Sequence, residues 1–83
     1  MDRFSSEHLT TIIAEILGVP VVDINAGSGM DSIERWDSHA VINMVIAIEL
    51  EAGLQVGPDE LEKFTTFHGI LQLLASKGIV VGQ

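Results

Sequence analysis

No cysteine occurs among the 83 residues. That excludes disulfides, thiolate zinc sites and a cysteine nucleophile, and leaves stability to packing. Aromatic residues are scarce at 5%, so a core must be built from Ile, Leu, Val and Met, which the hydrophobic fraction of 47% supplies. Bases are few as well, 4 against 12 acids for a net charge of -8. Such a surface repels phosphate backbones and anionic lipids and attracts partners with basic patches, which argues against nucleic-acid binding. Apolar runs long enough to span a bilayer are missing, and Met1-Asp2-Arg3-Phe4-Ser5-Ser6-Glu7 lacks the basic region and apolar core of a signal peptide, so a cytoplasmic protein is expected. At this length the expectation is one domain, residues 1–83, too small to enclose both a large core and a catalytic cleft.

What is present is helical. Leu9, Ile12, Ile13, Ile16 and Leu17 recur at the spacing of one helix face; Ser5 or Ser6 can cap the start, Glu7 suits the first turn, and Gly18 with Pro20 supplies the stop. From Val19 to Trp36 no helical period survives. Pro20, Asn25, Gly27, Ser28, Gly29 and Asp31 mark a long ordered loop, expected to be pinned by Val22, Ile24, Met30, Ile33 and Trp36. A connection of this length in so small a domain is itself a functional signal. A second helix is expected over Ser38–Ala52, closed by Gly53. At 100° per residue, Val41, Met44, Val45, Ile48 and Ala52 form a core arc, and Ala40, Asn43, Ala47 and Glu51 a solvent arc. A third arc, His39, Ile42, Ile46 and Leu50, is either a second buried side or an exposed apolar strip that docks a partner.

Gly57 to Lys63 reads as a short helix with Pro58 first and acids in its opening turn. Thr65 or Thr66 then caps a last helix with a stripe of Phe67, Ile70, Leu71 and Leu74, ended by Lys77 and Gly78. The fold class is therefore all-α, three main helices plus one short one with a long loop between the first two, without strands or internal repeats. Ile79-Val80-Val81 is read as a tail packed on the bundle, since a lone strand has no partner.

The candidate chemistry centres on Asp37-Ser38-His39. Three consecutive residues at a helix start diverge and cannot relay a proton in line, so they do not make a hydrolytic triad. His8, His39 and His68 lack metal-ligand spacing, and Asp59, Glu60 and Glu62 lack the pattern of a calcium loop, so no metal site is expected. Ser38 itself reads either as the helix N-cap, whose replacement by alanine would cost about 0.5 to 2 kcal/mol, or as a hydroxyl displayed for modification. Asp31-Ser32 repeats the dipeptide but opens no helix.

The chain resembles the acyl carrier protein family, which includes the peptidyl and aminoacyl carriers. Leu17-Gly18-Val19, Asp37-Ser38, Val45-Ile46-Ala47-Ile48-Glu49 and Glu62-Lys63-Phe64-Thr65-Thr66 follow the order and spacing of the corresponding family segments across nearly the whole chain. The resemblance implies a four-helix acyl-carrier bundle and a monomeric, non-catalytic carrier with 4′-phosphopantetheine covalently attached to Ser38. A phosphopantetheinyl transferase would place it there from coenzyme A, with Asp37 assisting. It also implies thioester cargo and, as partners, a loading ligase and acyl-transfer enzymes contacting His39, Ile42, Ile46, Glu49 and Leu50. Glu49 and Glu51 oppose the helix dipole at about 0.3 to 1 kcal/mol each, a cost that fits selection for a basic partner. Val41, Val45 and Ile48 either line an acyl cavity or are plain core.

Three departures from the family pattern point to a specialised carrier in fatty-acid, lipid or secondary-metabolite biosynthesis. His39 stands where leucine usually follows the serine, Trp36 replaces a small residue, and Ala40, Asn43 and Leu50 occupy positions that are often acidic. The alternatives are an aminoacyl or peptidyl carrier, and an unmodified helical interaction module in which Ser38 is only a cap.

Overall fold

A computed structural model describes residues 4–79, 81 and 82. Helix α1 spans Ser6–Leu17, α2 Ser38–Ala52 and α3 Phe67–Ser76. The short helix expected over 57–63 is a 3-10 helix, Pro58–Thr65. Its reach to Thr65 leaves Thr66 as the residue that caps α3, with the Thr66 hydroxyl accepting from the Gly69 N–H at 2.9 Å. Each helix thus starts and stops close to where its local signals lie. At the end of α2, Gly53 takes φ 69°, a backbone region that favours glycine, and the Leu54 N–H returns to the Glu49 carbonyl to close the last turn.

The all-α bundle packs around one core in which Leu9, Ile13, Met44, Ile48, Phe64, Ile70 and Leu74 are fully buried. Burial differs from the sequence expectation at several points. In α3 the buried position is Leu73, with Leu71 only partly covered. Ala40, expected on the solvent arc of α2, is buried, and Ala47 is half-buried. Small side chains on that arc let α1 approach, so α2 is covered on two adjoining faces. The third arc stays open, with Ile42, Ile46 and Leu50 at 48%, 51% and 80% exposure.

The loop between α1 and α2 contains one 3-10 turn, Val21–Asp23, and is ordered by backbone pairing more than by the expected apolar pins. Ile24 and Trp36 are buried and Ile33 half-buried, whereas Val22 and Met30 face solvent. Gly29 forms an antiparallel bridge with Thr66, fastened by Met30 N–H to the Thr65 carbonyl and Phe67 N–H to the Ser28 carbonyl, both at 2.9 Å. A β-carbon on Gly29 would come within 2.8 Å of the Thr65 oxygen, so only glycine permits this approach. Buried Ser28 accepts from the Asn25 N–H, which satisfies its hydroxyl inside the loop.

The expectation of no strand needs correction. Strand β1 (Phe4–Ser5) pairs in parallel with β2 (Val81–Gly82), so the tail has the partner that sequence reading did not find, 77 positions away in register. Met1 to Arg3, Val80 and Gln83 lie outside the described residues.

Candidate functional site at the start of helix α2

The position of the α2 amino end is set upstream by Trp36. Its ring is buried at 1% exposure, and its Nε1–H donates to the Phe64 carbonyl at 2.9 Å. A large side chain that is both packed and hydrogen-bonded holds its backbone closely, and the chain reaches Ser38 two residues later. Asp37 follows in extended backbone and caps the helix, its Oδ1 accepting from the Ala40 N–H at 2.9 Å while its carbonyl accepts from Val41. Ser38 is therefore not the cap expected from its residue type. It occupies the first helical position, exposed, and among the described residues its hydroxyl has no hydrogen-bond partner.

The same geometry removes any triad. The Asp37 carboxylate is turned to the backbone of its own helix, and neither it nor His39 bonds to Ser38. Among the described residues no cluster of three or more His, Asp and Glu side chains could hold a metal ion, and no helix is long and apolar enough to cross a membrane.

Ser38 lines one hollow, and its two neighbours in sequence line a second. An apolar groove of about 560 Å³ lies between α2 and the 3-10 helix, lined by Met30, Ser38, His39, Val41, Ile42, Leu61, Glu62 and Thr65. A smaller polar hollow of about 230 Å³ lies on the α1 side, where Arg35, Asp37, His39 and Asn43 meet Ile16 and Leu17. His39 lines both. The sequence does not place Met30, Leu61 or Thr65 at this site: Thr65 reads as a possible cap of the last helix. Met30 reads as a core pin, and Leu61 carries only the three-residue spacing to Phe64 as a signal.

Positions elsewhere on α2 divide. Ile42, Ile46 and Leu50 continue from His39 as an exposed strip, whereas Glu49 is half-buried and accepts from the Val56 N–H at 2.8 Å. Glu51 bonds to His8 of α1 at 2.9 Å. Both acids thus have intramolecular work that answers the dipole cost, and neither requires a basic partner to explain it. Of the residues considered for an acyl cavity, Val45 and Ile48 belong to the packed core, while Val41 is buried and also borders the groove beside Ser38.

A free hydroxyl at the positive end of a 15-residue helix is suited to carry a negative phosphate ester, because the first N–H groups and the helix dipole favour an anion there. The comparison with protein families agrees: the family model described as "Phosphopantetheine attachment site" matches residues 7–74. The chain belongs to this phosphopantetheine-binding family. Members hold 4′-phosphopantetheine covalently on a serine and are in general non-catalytic carriers that meet a phosphopantetheinyl transferase and acyl-processing enzymes. The residues present fit that group, since an unbonded, exposed serine oxygen is available and an apolar groove opens beside it.

Proposed function

We propose that this carrier takes its arm on Ser38 and conveys acyl groups within a specialised fatty-acid, lipid or secondary-metabolite pathway. The observation that carries the assignment is the Ser38 hydroxyl, exposed and without a hydrogen-bond partner while its neighbour Asp37 does the capping. Ser32, the other serine after an aspartate, exchanges hydrogen bonds with Gly29 through its hydroxyl and opens no helix. In the transfer step the Ser38 oxygen attacks a phosphorus of the coenzyme A pyrophosphate. The new ester bond forms on the phosphorus that bears the pantetheine as its P–O bond to the nucleotide phosphate breaks. The serine proton passes to a base of the transferase, and the transferase and its Mg²⁺ supply the activation. Asp37 keeps the helix start in place through Oδ1 and leaves its other carboxylate oxygen to the transferase. When bound, the arm supplies a terminal thiol that holds cargo as a thioester.

The apolar lining of the groove by Met30, Val41, Ile42 and Leu61 favours an acyl over an aminoacyl cargo. Partner enzymes would dock on His39, Ile42, Ile46 and Leu50, an apolar strip that starts beside Ser38; Glu49, half-buried and bonded to Val56, contributes at most its remaining oxygen. Incubation with coenzyme A and a promiscuous phosphopantetheinyl transferase, followed by intact mass, tests the assignment. A single arm on the wild type and none on Ser38→Ala is expected. No gain on the wild type, or a gain retained in Ser38→Ala, would reject it.

A further inference from the structure

Ser38 borders the apolar groove, and Asp37 and His39 on either side of it in sequence border a polar hollow that contains a cation, Arg35. The bases are Arg3, Arg35, Lys63 and Lys77. Lys77 pairs with Glu60 at 3.0 Å. Arg35, in a chain of net charge -8, pairs with no carboxylate among the described residues. Asp23 and Glu34 border a hollow on its loop side and Asp37 the hollow on its α2 side, yet none lies within ion-pair distance, and the Asp37 carboxylate is committed to Ala40. The side chain of Arg35 is nonetheless positioned. It lines the hollow with Ile16 and Leu17 at the end of α1, and its Nη1 would stand 3.1 Å from a β-carbon on Gly18. The absence of a side chain there admits the guanidinium, and the aliphatic stem covers apolar surface while the head stays open.

We propose that Arg35, with His39 and Asn43 of the same hollow, seats the phosphodiester by which the arm is anchored at Ser38. The inference rests on the Ser38 assignment. A guanidinium with no acidic partner among the described residues, held in the hollow that Asp37 and His39 on either side of Ser38 line, gives the singly charged phosphate an opposite charge in a chain of net charge -8. Seated there, the phosphate lies on the α1 side, and the arm runs past His39, the residue common to both hollows, toward the apolar groove. Arg35 is thus a positioning residue for the arm.

The test uses the full chain labelled with ¹⁵N, before and after loading from coenzyme A, with completion of loading read from intact mass. Because there are two arginines, Arg3 and Arg35, the arginine Nε–Hε region holds two signals, which Arg35→Lys assigns. The Arg35 signal is expected to move on loading while that of Arg3 does not. It should return toward its unloaded position at about 1 M salt, where the screening length falls to about 3 Å. The ³¹P signal of the loaded chain should shift in Arg35→Gln and be partly restored in Arg35→Lys. An Arg35 signal unmoved at complete loading would overturn the seat and leave the Ser38 assignment standing, as would a ³¹P signal equal in wild type and Arg35→Gln. No mass gain on the wild type rejects both. Should Arg35→Gln fail to fold, the wild-type comparison alone decides.

Discussion

At the amino end of α2, Asp37 commits its carboxylate to the Ala40 N–H and leaves the next side chain, Ser38, unbonded and facing solvent. At the carboxyl end, Glu49 holds the Val56 N–H and Glu51 holds His8. One end is built to leave a polar group free, and the other to use its polar groups up. On the proposed assignment of Ser38 the difference matters for a carrier, because an oxygen is open to another enzyme when it does not serve its own backbone. The carboxyl end has no such demand, so acids that would sit badly with the helix dipole are placed where two other segments need acceptors.

The anchoring that keeps the free end in place should break first. Trp36→Ala removes a buried ring and leaves the Phe64 carbonyl without its donor, and a loss of about 3 to 5 kcal/mol is expected in urea unfolding. Trp36→Phe, which keeps most of the volume, should lose about 1 to 3 kcal/mol. Equal losses in the two variants would show that the hydrogen bond, not the packing, holds the site. Glu49→Ala should cost about 1 to 2 kcal/mol by the same measurement, since a half-buried N–H loses a charged acceptor. A neutral result would return Glu49 to the list of residues free to meet a partner.

The two neighbours at the amino end give the sharpest contrast. Asp37→Ala is expected to lose about 0.5 to 2 kcal/mol as a missing cap, and Ser38→Ala to stay within about 0.5 kcal/mol as an exposed, unbonded position. Reversal of that order would mean that Ser38 is the true cap. The His8 and Glu51 pair is about half exposed on both sides, so Glu51→Gln should cost no more than about 1 kcal/mol and less in high salt.

The smallest effect concerns Glu60. The Gly57 N–H, donating at 2.9 Å, and then Lys77 hold its carboxyl below the ordinary glutamate range. A lowered folded pKa favours the carboxylate in the native state, so its contribution is present above the ordinary range and fades as pH falls through the depressed folded value. A Glu60→Gln variant should therefore show a shallower loss of stability on acidification than the wild type. Parallel curves would remove Glu60 from the account.

Local signals made the helices and the candidate serine legible. The Gly53 stop, the Thr66 cap and the apolar spacing of α1 act through bonds only a few residues long, and the Asp37-Ser38 pair stood out at a loop-to-helix junction. The errors were of another kind. Met30 and Val22 were counted as pins because they are apolar, although the loop is secured by backbone bonds of Ser28 and Met30 to residues 65–67. Serine is a good cap, so the sequence leaves Ser38 open between capping and display, when Asp37 beside it is equally good and holds the bond. The groove residues Leu61 and Thr65 come from a 3-10 segment whose spacing carries no strong face, and Arg35 gave no signal in a chain read for its acids.

From the sequence alone came an all-α chain of small size, the span of α2, the third apolar arc on it and an acidic surface without thiols. These follow from a fixed turn angle and from composition, which need no knowledge of distant residues. Tertiary structure decided which polar groups are engaged and which are free: Trp36 with Phe64 across 28 positions, His8 with Glu51 across 43, and the pairing of the chain's two ends. Such partnerships depend on where the packed bundle brings segments together, and hydrogen bonds of a few ångströms cannot be assigned before that approach is known.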